Sequence, residues 1–167
     1  LGHAGEIDHM IHLRDMQSGE FADFIAYFIP DYAEEISANY DEDIGAARAR
    51  AEREVKADLP LGVETPGQAL LCMVRDGDET DSPVGYLWCK PEAAGKTVFI
   101  SEFYVLPGHR GKGYAKSALI ALEAKFAETG HREARLRVAA DNEKAQRLYL
   151  AAGYRATGIN MRKSFGG

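Results

Sequence analysis

The sequence predicts an α/β domain (α+β in some classification schemes) built on a mixed, mostly antiparallel sheet. Three observations predict it. Runs rich in β-branched and aromatic residues alternate with stretches of helical periodicity along the chain. Three strand-like runs, 69–75, 84–90 and 97–105, follow one another across short polar or glycine-bearing turns, which reads as an antiparallel meander. The third run leads through a basic, glycine-bearing loop into a helix and then a further strand, 134–140. A right-handed crossover sets that last strand parallel to the 97–105 strand and beside it.

Each element has a local reason. Ile11, Leu13 and Met16 make a short first strand. From Gly19 to Tyr40, Phe21, Phe24, Ile25, Phe28 and Ile29 recur at helical spacing, and Pro30 is expected to kink or break that helix. A second helix over 42–58 carries Ile44, Ala47, Ala51 and Val55 on one side and ion-pairing residues on the other. Pro60, Gly62, Pro66 and Gly67 make a loop before the meander. After the basic loop, Ala115, Ala118, Leu119, Leu122 and Phe126 form one helix face, which stops near Gly130. Asp141 and Asn142 are capping residues for a last helix ended by Gly153, and residues 154–165 are expected to add one or two terminal strands.

Composition bounds the function classes. A chain of 167 residues suits one domain, and its 46% hydrophobic and 28% charged residues are ordinary for a globular protein. A net charge of −6 argues against general nucleic-acid binding, which rests on neutralising phosphates. No apolar run approaches the roughly 20 residues that span a bilayer, and no signal-peptide pattern is visible, so no membrane partner and a cytoplasmic setting are expected. Cys72 and Cys89 are isolated thiols in apolar runs, read as small buried hydrophobes, with a catalytic cysteine as the alternative. The acidic residues are dispersed and the five histidines unclustered, so no metal site is expected. His9-Met10 resembles the junction left by a common cloning site. Residues 1–9 are therefore expected to be an expression-tag remnant, and 10–167 a single domain.

The chemistry is concentrated at the junction of the third meander strand and the following helix. Arg110, Gly111, Lys112, Gly113, Tyr114, Ala115 and Lys116 run straight into the helix N-terminus. Free backbone N–H groups and the positive dipole end make such a junction an anion site, and glycines let a ligand approach the backbone. A diphosphate is the natural guest. The loop lacks the Ser/Thr that a Walker loop places after its lysine, and Lys116 stands where a dinucleotide fingerprint needs its third glycine.

Arg110-x-x-Gly113-x-Ala115, after a strand ending Tyr104-Val105, resembles the acyl-CoA pyrophosphate loop of the GNAT superfamily of N-acetyltransferases. Asn142 and Tyr149, followed by Ala-Gly-Tyr154, resemble that family's second signature, and the element order over 10–165 is similar to the whole GNAT fold. The resemblance implies helices on both faces of the sheet and a parallel pair of strands, 102–105 and 135–139, splayed at a bulge around the pantetheine arm of acetyl-CoA. It implies that the backbone of Tyr104 and Val105 holds that arm, with the Val105 N–H facing the thioester oxygen. Amides from Arg110 to Lys116 would cradle the diphosphate, and Asn142 would bond the arm while also standing as a helix cap. Tyr149 would be the general acid, since a phenol of pKa about 10 is protonated at neutral pH; core packing is its competing role. Glu102, before the bulge, is the candidate base, against an ordinary exposed strand glutamate. His109 is expected in solvent, and His12 and His131 have no local partner in sequence.

The implied activity is transfer of an acetyl group from acetyl-CoA to a primary amine, small molecule or peptide, in a ternary complex. Tyr27, Phe28 and Tyr32, with Tyr40, could line the acceptor entrance. Asp31, Glu34, Glu35, Asp41, Glu42 and Asp43 would make it acidic and favour a cationic amine, or else form a solvated helix face. A silent acyl-CoA sensor and a protein-pairing module, including a homodimer through the terminal strands, are the alternatives from other classes.

Overall fold

The computed structural model describes residues 10–166, so the expectation for residues 1–9 lies outside it. The elements are β1 (Ile11–Asp15), α1 (Ser18–Tyr40), α2 (Ile44–Asp58), β2 (Ala69–Arg75), β3 (Pro83–Glu92), β4 (Thr97–Val105), α3 (Tyr114–Glu128), β5 (Glu133–Leu136) and α4 (Glu143–Ala151). They fall into two compact units, the first ending at Leu136 and the second beginning at Arg137.

In the first unit the strands lie side by side in chain order, β1 to β5. The first four pair antiparallel and β5 pairs parallel with β4, so the expected meander and crossover are both present. Leu70, Cys72 and Val74 of β2 and Tyr86 and Trp88 of β3 pack with Phe24, Phe28, Ile29, Ala33 and Ile36 of α1 and with Ala47, Ala51 and Val55 of α2. Phe28 stacks at 5.6 Å on Phe24 and meets Trp88 edge-on at 5.7 Å. The intervening residues Leu71, Met73, Leu87 and Cys89 are also fully buried. With a period of two they point to the opposite face, which α3 covers through Ala118, Leu119 and Leu122. The Ser117 hydroxyl accepts the Met10 and Ile11 amides at 3.1 and 3.0 Å, tying α3 to the first strand. Burial on both faces is why these strands read as continuous apolar runs.

Three expectations change. Helix α1 runs through Pro30 without ending there. Proline deprives the Ala26 carbonyl of its helical partner, yet Phe24, Phe28 and Ile29 before it and Ala33 and Ile36 after it all bury on one core. That shared apolar stripe outweighs one lost hydrogen bond. Strand β5 stops at Leu136 instead of Ala140, because its ladder with β4 ends at the pair Ile100 and Leu136. In the second unit, among the described residues, no strand forms after Tyr154. Ile159, Met161 and Phe165 alternate as a strand would, but all three are exposed.

Because Pro30 is exposed and interrupts a helix that continues past it, Pro30→Ala is expected to raise stability by about 2 kcal/mol. Urea unfolding followed by circular dichroism measures this directly.

Candidate active site

The site begins with a fault in the sheet. Trp88 pairs with Glu102 while Cys89 pairs with Ile100, so Ser101 is an extra residue, a β-bulge in β4. The β4–β5 ladder ends at Ile100, immediately before the bulge. Beyond it β4 continues to Val105 with β3 as its ladder partner. Burial records the change: Val98 and Ile100 are buried, whereas every residue from Ser101 to Val105 is half-buried. Gly85 makes the β3 side possible, since a Cβ there would lie 2.5 Å from the Tyr104 carbonyl oxygen. The bulge and the end of the parallel ladder therefore fall together.

Glu102 lies at this bulge. Its carboxylate accepts the Phe103 amide at 3.1 Å. Burial, then the neighbouring carboxylates of Asp31 and Glu35, push its pKa up to about 8, against the pull of that amide. Asp31 is raised as well, by loss of water and by Glu34, while Arg110 favours its charged form. The remaining acidic residues of the expected entrance have other places: Asp41 is the C-cap of α1, Glu42 pairs with Arg50 at 3.5 Å, and Asp43 caps α2. The Tyr104 ring packs on Tyr27 of α1 at 5.7 Å, and Tyr27 in turn meets Tyr86 at 6.3 Å. The Arg110 guanidinium lies 5.1 Å from the Tyr104 ring centre, and its Nε donates to the Val105 carbonyl at 2.9 Å.

The loop after β4 has the form of an anion cradle. Gly111 and Gly113 have φ of +74° and +81°, a conformation that costs an L-residue about 1–2 kcal/mol. Gly113 is the N-cap of α3 and supplies no side chain to cap it. The first amides of α3, those of Tyr114, Ala115 and Lys116, thus face outward at the positive helix end. Lys112 and Lys116 are exposed beside them. These residues fit a diphosphate.

The second unit carries the other two expected residues. The Asn142 side chain caps α4, accepting the Ala145 amide at 3.1 Å, which leaves its NH₂ donors for another partner. Tyr149, two turns along the same helix, is half-buried and sets its ring edge-on against Tyr154 at 5.5 Å.

The three acceptor residues divide. Tyr27 is 41% exposed beside Tyr104. Phe28, only 7% exposed, belongs to the core and lines no entrance, because the helical period that exposes Tyr27 turns its neighbour inward. The Tyr32 hydroxyl donates to Glu54 at 2.5 Å and joins α1 to α2. His109 is half-buried, with an Nδ1 that meets no partner, rather than lying in solvent. His12 pairs with Asp76 at 2.8 Å, and His131 meets the Thr129 hydroxyl at 2.9 Å. Cys72 and Cys89 are buried, and burial pushes both thiols up to about 12. Among the described residues no cluster of His, Cys, Asp and Glu could hold a metal ion, and no helix is long and apolar enough to cross a membrane.

Ser101 escaped the sequence reading. Its hydroxyl is buried at the bulge and has no partner. A serine in a strand carries no signal of a bulge. Gly85 did carry one, since glycine inside a strand often marks a close backbone approach.

Comparison with known proteins agrees with this geometry. The model of the Acetyltransferase (GNAT) family matches residues 25–154. The chain belongs to that family, and it is an enzyme of the acetyl-CoA-dependent N-acetyltransferase class. It is 35% identical over 158 residues to the uncharacterised N-acetyltransferase YycN of Bacillus subtilis (strain 168), covering 92% of this chain and 97% of the relative. The crystal structure of YycN superposes with a TM-score of 0.86 at 33% identity, over 94% of this chain and 99% of that one. A second uncharacterised N-acetyltransferase of the same organism, YdgE, is 30% identical over 153 residues, covering 90% of this chain and 96% of its own. Spermidine N-acetyltransferase from Vibrio cholerae, solved in complex with CoA and spermine, shares the fold at a TM-score of 0.66 and 18% identity, over 95% of this chain and 88% of that one.

A side chain at position 113 must adopt a left-handed backbone, and its Cβ would come within 3.0 Å of the Met10 methyl. Gly113→Ala is expected to cost about 1–2 kcal/mol of stability and to raise the KM for acetyl-CoA severalfold. Thermal melting and steady-state kinetics measure the two effects.

Proposed function

We propose that the chain moves an acetyl group from acetyl-CoA directly to a primary amine in a ternary complex, with Glu102 as the general base. The observation that carries this reading is the carboxylate at the bulge, held near pKa 8 where the sheet opens. An amine attacks only when deprotonated, and a base with a pKa near the working pH takes its proton most effectively. Bound acetyl-CoA would supply an activated thioester carbonyl. The cradle amides of residues 111–116 hold its diphosphate, the Tyr104 and Val105 backbone aligns its arm, and the Val105 N–H stabilises the developing oxyanion. By the family resemblance alone, Tyr149 would be the general acid and Asn142 a ligand of the arm.

Direct transfer also suits the thiols. Cys72 and Cys89 are buried and held protonated, so neither offers a thiolate to carry the acetyl group. Free buried thiols suit a reducing, cytoplasmic setting. The acceptor is a cationic amine, drawn by Asp31 and Glu35 on the side of α1 that faces Glu102. A polyamine is one such amine, and an enzyme that shares this fold is crystallised with spermine.

Release of free thiol from acetyl-CoA against polyamines, amino sugars, amino acids and peptides tests the activity. Intersecting initial-velocity patterns are expected; parallel lines would contradict direct transfer. Glu102 is neutral below about pH 8 and ionised above it, so kcat is expected to rise with pH towards a plateau above 8. Glu102→Gln should lower kcat by about 100-fold or more and remove that rise, and Tyr149→Phe should lower it by about tenfold. CoA binding without turnover on any acceptor would favour the sensor reading.

Stability gives an independent check. The free carboxyl ionises near 4.5 and the folded one near 8, so the folded state holds an extra proton between those values. Glu102 therefore makes the protein less stable as pH rises from about 4.5 to 8. Melting temperatures of Glu102→Gln should lack that component of the decline.

A further inference from the structure

Arg110 opens the loop, but its side chain turns back from it. The Nε–H is donated to the Val105 carbonyl, and the guanidinium covers the Tyr104 ring. Both residues belong to the part of β4 beyond the bulge, after its ladder with β5 has ended. The Tyr104 ring also meets Tyr27, and Asp31, whose charged form Arg110 favours, follows one turn later on α1. The backbone supports this arrangement. Leu106 N–H donates to the Val84 carbonyl at 2.9 Å, and Gly111, with φ of +74°, turns the chain immediately after Arg110.

We propose that Arg110 is a positioning residue for acetyl transfer: it clamps the outer end of β4, fixing Tyr104 and Val105 against α1, and is not a ligand of the diphosphate. This rests on the reading of that strand end as the site of the acyl arm. The clamp is needed because residues 101–105 have lost the neighbour that holds the start of the strand, and a misplacement of about 1 Å at reacting atoms costs on the order of 100-fold in rate. A planar guanidinium suits the task. It stacks on an aromatic ring and donates in its own plane at once, which an ammonium cannot do.

That chemistry separates a clamp from a phosphate ligand. Arg110→Ala, Arg110→Lys and Arg110→Gln are compared for kcat, for CoA affinity by titration calorimetry, and for the dependence of that affinity on salt. Alanine and lysine are expected to lower kcat by about tenfold or more, with CoA affinity within about threefold and its salt dependence unchanged. Glutamine, whose planar amide can stack and donate in its own plane, retains more of the rate than lysine. Lys112→Ala, in the cradle, should flatten the salt dependence in the same assay. Wild-type kcat in Arg110→Ala overturns the proposal. So does a CoA affinity at least tenfold weaker, with a flatter salt dependence that lysine restores. If the unaltered protein binds no CoA, the reading of the loop has failed, and the clamp is judged by hydrogen exchange at the Leu106 amide. Faster exchange in Arg110→Ala supports it, and unchanged exchange overturns it.

Discussion

One extra residue in one strand sets the geometry of this enzyme. Ser101 breaks the register between β3 and β4 at the point where β5 ceases to pair. A sheet that stayed in register would satisfy its backbone groups on both sides and leave nothing for a ligand to bond. Here β4 keeps β3 on one side and leaves its outer half without β5 on the other. Up to that point one face of the strand is packed, with Val98 and Ile100 in the core.

The electrostatics follow from the same fault. A glutamate on an ordinary exposed strand would ionise near its usual value. At the bulge Glu102 is partly removed from water and faces the carboxylates of Asp31 and Glu35, so its proton is retained to about pH 8. The cations sit a short distance along the chain, where the positive end of α3 and two left-handed glycines form the cradle. Arg110 stands between the two regions, with its backbone in the loop and its guanidinium over Tyr104. A carboxylate that can accept a proton and amides that can hold an anion thus both lie within residues 102–116 of one strand–loop–helix unit.

Much of this was legible in the sequence, for physical reasons that can be named. The meander was readable because strands buried on both faces are apolar throughout, and β2 and β4 have the predicted bounds. The cradle was readable because only glycine occupies the backbone angles of positions 111 and 113 cheaply. Other features depend on partners that local pattern does not encode. Pro30 forecasts a kink or a break, and a continuous buried stripe carries the helix past it. Residues 137–140 have the composition of a strand, yet β5 ends where its ladder does. Phe28 and Tyr27 look alike as aromatic neighbours, and only the helical phase sends one into the core. The orientation of Arg110 was hidden for a further reason: a cation in a glycine loop suggests an anion, while its contacts are with the strand that precedes it.

The central claim is that the open end of β4 and the cradle together form the acyl-CoA site. Titration of ¹⁵N-labelled protein with CoA, followed by amide resonances, tests it most directly. The account predicts saturable shifts at Tyr104 and Val105 and at residues 111–116, appearing together with one dissociation constant. Saturable shifts confined to other parts of the protein, or no shift at all, would contradict it.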